Sequence, residues 1–331
     1  MKKSLRSKLT LILSILISIA VVAFVLIKLD WVAVRSTLEK VNVQWLILAL
    51  LVYGVNYILR TIRFKILIST KSIPFIQLLS VTGLYGMYNY LLPAKSGELT
   101  YIVLANRRLK VSLVESATSL LASRYLDFAT IALILPFLLI FYIKNLPPWL
   151  IYASVTFCVL VVMASLGIYW YIKITSQQEN YSPSKTKWIA SFQKILLDLR
   201  DGLITIYRRK EYLRLLLLTI AIWLCIFTNL YFIVLSLGFP LNYFQIVVIS
   251  IIMIPMTLLP FQGFANLGTH EIGWVAAFSI FGQPETIALN VAVSSHILLL
   301  FSVLILGTCS FLLTSGKNHL KDRVEEHSSD G

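Results

Sequence analysis

Charge of either sign is scarce in this sequence, and acidic charge is scarcest. Asp and Glu number 15 in 331 residues, Lys and Arg 29, and charged residues make up 13%. Soluble domains carry about 25%, so an ordinary soluble fold is excluded. Cysteine is nearly absent, and Cys158, Cys225 and Cys309 all lie inside apolar runs. That leaves neither a disulfide framework nor a metal-ligand spacing, and the three read as small buried hydrophobes. Histidine numbers 4. His270–Glu271 would open an H-E-x-x-H zinc motif, but Trp274 stands where the second histidine is needed. P-loop, dinucleotide and nucleophile-elbow signatures are missing too. The sequence therefore offers no ATP site, and no cofactor or metal is expected.

What fills the chain instead is apolar: 58% of it is hydrophobic. A helix crosses ~30 Å of hydrocarbon with about 20 apolar residues. Runs of that kind occupy Leu9–Lys28, Trp45–Leu59, Ser112–Ile143, Trp149–Ile172, Leu213–Gly238 and Ile287–Leu313. None alternates as barrel strands do. The fold class is an all-α polytopic membrane protein. The first run follows "MKKSLRSK" and exceeds the ~7–15 apolar residues of a signal peptide, so it reads as a retained transmembrane helix. The net charge of +14 fits cations gathered on the cytoplasmic side and at anionic lipid headgroups, and no nucleic-acid partner is inferred.

Two further apolar segments are interrupted. Ile76–Lys110 breaks at Pro93–Glu98, and Phe244–Gly282 breaks at Pro260–Glu271. The positive-inside bias decides how to read them. Lys2, Lys3, Arg6 and Lys8 put the N-terminus inside, and Arg60, Arg63, Lys65 and Lys71 do the same for the next connection. Segment 173–212 is basic as well. If 76–92 crossed fully, Arg107, Arg108, Lys110 and that whole basic segment would face outside. A re-entrant hairpin over 76–110, dipping in from the cytoplasm, keeps every basic cluster inside. A matching hairpin over 244–282, entering from outside, leaves Lys317, Lys321 and Arg323 in the cytoplasm. Both termini are then cytoplasmic. The layout is about six full spans plus two hairpins in an inverted repeat, an arrangement that transporters use. Its parts are a first membrane repeat over 1–143, a second over 144–315 and a tail over 316–331. Within 173–212, Trp188, Ile189, Phe192, Ile195 and Leu199 recur at helical spacing opposite Lys187, Lys194, Asp198 and Asp201, the pattern of an amphipathic surface helix.

Irregular backbone at membrane depth must be buried in protein or line a cavity, so the candidate site gathers at the hairpin tips and at charges inside spans. Pro93, Gly97, Pro260, Gly263 and Gly268 are expected to shape the tips. Asn89, Lys95, Glu98, Asn266, His270 and Glu271 are the tips' polar groups. A glutamate beginning a half-helix caps its N–H groups or meets a substrate or coupling ion. Arg124 and Asp127, three apart, share a helix face, about two turns into the span. Arginine's fork suits a lipid phosphate. Arg60 and Arg63 read as interfacial cations that snorkel and flank the first hairpin's mouth. His296 reads as a helix–helix hydrogen-bonding residue.

"LRTIRF" (Leu59–Phe64), "NYLLPAKSGE" (Asn89–Glu98), "SRYLD" (Ser123–Asp127) and "LP…GFANLGTHE" (Leu259–Glu271) together resemble the flippase-like membrane domain of lysylphosphatidylglycerol synthases. They stand in that family's order and cover most of the chain. Two features depart from the family pattern: Ser123 occupies a position where members often have glutamate, and extra residues precede Gly268. The resemblance implies a stand-alone member that moves an anionic or glycosylated lipid headgroup between leaflets of a bacterial plasma membrane. It implies no aminoacyl transfer, since no polar segment is long enough for that catalytic domain. Membrane lipids are the expected partners. The alternatives are a non-catalytic component of an envelope or glycolipid assembly complex, partnered by a lipid- or glycan-synthesising enzyme, and an intramembrane lipid-modifying enzyme using Glu98, His270 or Glu271.

Overall fold

The computed structural model of the chain describes residues 30–68, 73–93, 96–142, 148–175, 187–258 and 264–329. The first apolar run, Lys95, Pro260 and Gly263 lie outside the described residues. Every regular element among those described is helical: α1 Trp31–Glu39, α2 Val43–Leu67, α3 Phe75–Leu91, α4 Gly97–Leu109, α5 Leu113–Tyr142, α6 Pro148–Thr175, α7 Lys187–Arg208, α8 Tyr212–Ser236, α9 Tyr243–Leu258, a 3₁₀ turn Phe264–Asn266, α10 Thr269–Ile280 and α11 Glu285–Ser329.

Local chemistry starts several of them. Asp30 Oδ1 accepts from the amides of Val32 and Ala33, both at 3.0 Å, ahead of α1. Asn242 and Gln245 form a reciprocal capping box at α9, each side chain accepting from the other's backbone N–H at 2.9 Å. These bonds satisfy amide donors that a helix start leaves without partners.

Among the described residues, five helices are long and apolar enough to cross a membrane: Val43–Leu67, Leu113–Leu138, Pro148–Tyr171, Tyr212–Ser236 and Glu285–Leu313. They coincide with the five apolar runs that fall among the described residues. The chain is a polytopic helical membrane protein. α6 shows the lipid-facing pattern most plainly. Val155, Leu160, Met163 and Leu166 on it are exposed, and exposed Trp149 and Trp170 stand near its two ends. Those indoles are about 31 Å apart at ~1.5 Å per residue, close to the hydrocarbon thickness, and tryptophan favours both interfaces.

The two interrupted segments are broken helices. α3 has 17 residues, α4 13, α9 16 and α10 12, or ~18–25 Å each at ~1.5 Å per residue. α3 ends at Leu91, and α4 begins on Gly97 itself, one residue before the expected Glu98. A Cβ on Gly97 would strike the backbone of Asn89 and Tyr88, so the chain doubles back onto the last turn of α3 at a distance only glycine permits. Gly97→Val is expected to destabilise the protein by about 1–3 kcal/mol through overpacking, read as a lower unfolding midpoint in detergent. Gly54→Ala, where a Cβ meets nothing within 4 Å, should leave that midpoint in place.

Contacts divide the chain into two compact units. One comprises Met1–Tyr57, Leu79–Thr100 and Trp223–Gly331 so far as they are described; the other comprises Ile58–Leu78 and Tyr101–Ile222. In the first, Ala49, Ile233, Leu237 and Leu298 join α2, α8 and α11. Asn229 Nδ2 donates to the Ala49 carbonyl at 2.8 Å across two of those helices. α3 packs into this unit through small residues. Gly83 abuts Ser310, Met87 abuts Gly307, and Ser80 Oγ donates to the Ser310 carbonyl at 2.6 Å. Close backbone approach of this kind holds helices together where lipid removes the hydrophobic drive.

The second unit centres on α2, α5 and α8, with Leu67, Ala122 and Leu215 buried together. Phe64 stacks on Tyr101 with centroids 4.3 Å apart, and the Tyr101 hydroxyl bonds Ser119 Oγ at 3.1 Å. The expected amphipathic helix is α7, whose Gly202 abuts Thr118 of α5. Arg209, just beyond it, donates to the carbonyls of Ile66 and Ile68 at 2.8 and 3.1 Å, satisfying acceptors that the end of α2 leaves open.

Candidate functional site

The sequence candidates fall into two groups, one in each unit. In the second unit, Arg60, Arg63, Arg124 and Asp127 come together. α2 carries Arg63 to a position where its side chain is 1% exposed. This corrects the interfacial reading: Arg63 is sealed in the core and does not snorkel. Its Nη1 donates to Asp127 Oδ1 at 2.6 Å and to Thr219 Oγ1 at 3.3 Å. Its Nη2 donates to Ser123 Oγ at 2.6 Å and to Asp127 Oδ2 at 3.4 Å. A fork gripping a carboxylate through both arms is the strong geometry for this pair.

Arg124 was the partner expected for Asp127, from the spacing along α5. It reaches Asp127 Oδ2 only at 3.5 Å and keeps its side chain 27% exposed. Arg60, half-buried one turn before Arg63, stands within electrostatic reach of the same carboxylate. Three arginines therefore surround one aspartate, and the cluster carries a formal charge of +2. Asp127 sits midway along the Leu113–Leu138 span, deeper than the two turns expected. Each charge at the centre of a transmembrane helix costs about 2.5–3.5 kcal/mol on insertion scales. Pairing with Asp127 offsets part of that cost.

In the first unit the second hairpin tip is built around Glu271, which is 1% exposed. Its Oε2 accepts from the Gly268 N–H at 2.7 Å, so it caps α10 as the sequence suggested. Its Oε1 contacts His296 Nδ1 of α11 at 2.5 Å, and His296 Nε2 contacts the Ala265 carbonyl oxygen at 2.7 Å. His270 Nε2 accepts from the indole N–H of Trp274 at 2.9 Å. Trp274 thus occupies the second-histidine position and acts as a hydrogen-bond donor there. Asn266 holds Thr269 Oγ1 on its carbonyl at 3.0 Å.

The tip's backbone is strained. Ala265 and Asn266 have φ of 53° and 61°, and Gly268 has φ of 85°. Left-handed backbone costs an alanine about 1–2 kcal/mol, so the surrounding bonds must hold it in place.

The first tip supplies its candidates to the same unit. Pro93 follows the end of α3, and Glu98 stands in the first turn of α4. Asn89 and Tyr90 end α3. Asn89 Oδ1 and the Tyr90 hydroxyl are buried and have no hydrogen-bond partner among the described residues. The Tyr90 ring meets His296 edge-on, with centroids 5.9 Å apart. His296 therefore touches both hairpins: Tyr90 of the first, Glu271 and Ala265 of the second.

Reading the sequence missed four residues in these sites: Ser123 and Thr219 around Arg63, Tyr90 at the first tip, and His296 as the residue that joins the tips. Ser123 lay inside a quoted motif. Thr219 and His296 sit far along the chain from their partners, and no local spacing points to them.

A family model described as the lysylphosphatidylglycerol synthase TM region matches residues 11–307. No curated protein and no solved structure matches significantly.

Proposed function

The chain belongs to the lysylphosphatidylglycerol synthase TM-region family, a membrane-domain family linked to lipid modification or translocation, and on that premise we propose that it moves an anionic or glycosylated lipid headgroup between leaflets. The observation that carries this reading is the grouping of Arg60, Arg63 and Arg124 around Asp127 in the second unit. Three guanidinium groups share one carboxylate inside a bundle that otherwise buries few charges. A phosphate or phosphodiester suits the guanidinium fork, and a lipid headgroup is the anion a membrane supplies. Arg63, with its contacts to Asp127, Ser123 and Thr219, frames the cluster. Arg124, partly exposed, and Arg60 meet the headgroup.

The broken helices support the same reading. Arms of ~18–25 Å fall short of the ~30 Å needed to cross. We read both as re-entrant, the first from the cytoplasm and the second from outside, with cytoplasmic termini in a bacterial plasma membrane. Opposed half-helices of this kind line transporter sites.

The test is reconstitution into vesicles carrying a fluorescent phosphatidylglycerol or a fluorescent phosphatidylcholine in one leaflet. Accelerated transbilayer movement of the anionic probe over the zwitterionic one is the expected result. Unchanged movement of every anionic and glycosylated probe would remove the proposal.

A further inference from the structure

The second tip makes a definite demand on protons. A backbone carbonyl can only accept, so the contact between His296 Nε2 and the Ala265 oxygen at 2.7 Å requires a hydrogen on that nitrogen. The other ring nitrogen faces Glu271 Oε1 at 2.5 Å, while Oε2 already accepts from the Gly268 amide. One proton must therefore lie between Nδ1 and Oε1. The pair is then either imidazolium with carboxylate or imidazole with carboxylic acid, and both have zero net charge.

Removing that proton leaves two arrangements. If the remaining ring hydrogen stays on Nε2, the lone pair of Nδ1 faces a carboxylate. If it moves to Nδ1, the lone pair of Nε2 faces the Ala265 carbonyl. Either way, one of the two hydrogen bonds His296 makes to the tip is lost, and an uncompensated negative charge is left buried.

Among the described residues, no substitute cation is seen around the pair. His270, with its ring centroid 4.5 Å from that of His296, accepts the Trp274 hydrogen on Nε2 and so is neutral in this arrangement. α3 presents Tyr90, and α4 adds Glu98 in its first turn. α9 brings Tyr243, bonded to Thr228. The parts of α2 and α8 in this unit contain tyrosines and Cys225 but no charged residue. α1, packed against α11 through Val34 and Leu289, turns Arg35 toward Glu39 at its exposed surface.

We infer that Glu271 and His296 form a one-proton binding site whose occupancy fastens the second hairpin tip to α11, and whose deprotonation releases that tip. The strained backbone at Ala265 and Asn266 is what release would relax. The inference builds on the translocation reading by giving the moving element its coupling ion, a proton.

The experiment uses the full chain in phospholipid nanodiscs, with Cys158, Cys225 and Cys309 replaced by alanine. A nitroxide is attached at Leu267→Cys, an exposed tip position. Raising the pH from about 5 to about 9 spans histidine titration and its usual shifts. Nitroxide mobility should rise through a single one-proton transition. Glu271→Gln can donate its amide hydrogen to Nδ1 and accept from Gly268, keeping both contacts without a titrating proton, so its label should stay immobile throughout. His296→Leu should be mobile throughout. A label whose mobility does not change with pH in the otherwise native tip, or an unaltered transition in Glu271→Gln, would overturn the inference. The vesicle assay separates it from its premise. Lipid movement with a pH-insensitive tip removes the proton site alone. A pH-sensitive tip without lipid movement removes translocation alone.

Discussion

Asp127→Leu is expected to destabilise the protein by about 3–5 kcal/mol, the cost of breaking a buried ion pair from one side. The aspartate feels Arg63, Arg124 and Arg60 together. Its loss leaves Arg63, 1% exposed, with only the hydroxyls of Ser123 and Thr219 for partners. Unfolding in detergent should show a large fall in the midpoint. The informative comparison is Arg63→Met with Asp127→Leu in one chain. Replacing both partners of a buried pair by apolar groups is often neutral or stabilising, so the double variant should recover most of the lost stability. A double variant no more stable than Asp127→Leu alone would show that Arg63 and Asp127 are not coupled as described.

Arg124→Gln should cost less stability than Asp127→Leu and slow anionic lipid movement by about tenfold to a hundredfold. That range corresponds to one charge-assisted hydrogen bond of about 1.5–3 kcal/mol. Arg124 reaches Asp127 only at 3.5 Å and keeps 27% exposure, whereas Arg63 contacts it at 2.6 Å and keeps almost none. Arg124→Lys preserves the charge and loses the fork, so an intermediate rate is expected. The vesicle assay with fluorescent phosphatidylglycerol measures all three chains. An Arg124→Gln rate equal to that of the original chain would move the headgroup contact elsewhere.

Ser123 bears on both results. The family resemblance leads one to expect glutamate there. A second acid beside Asp127 would lower the cluster's formal charge from +2 to +1. Serine instead accepts from Arg63 and adds no second negative charge beside Asp127.

The sequence was most legible where the signal is local. The spans of α2, α5, α6, α8 and α11 follow from runs of apolar residues, because transfer into hydrocarbon adds up residue by residue along one segment. The interruptions at Pro93–Glu98 and Pro260–Glu271 could be seen for the same reason, and Glu271 could be placed among the polar groups of the second tip. Arg124 and Asp127 were paired because three residues along a helix is a local distance.

Tertiary packing overrode that pairing. Asp127 takes Arg63 of another helix as its close partner, with Thr219 of a third helix alongside, because side chains from converging helices can approach end-on where neighbours on one helix run side by side. His296 reaches Glu271 and Ala265 across 25 and 31 positions by the same means. Composition and hydropathy by themselves determined that this chain lives in a membrane, where it crosses, and where its helices break. Only the packing of those helices decided which charges face each other and where a proton must sit, since both depend on distances of a few ångströms between residues that the sequence holds far apart.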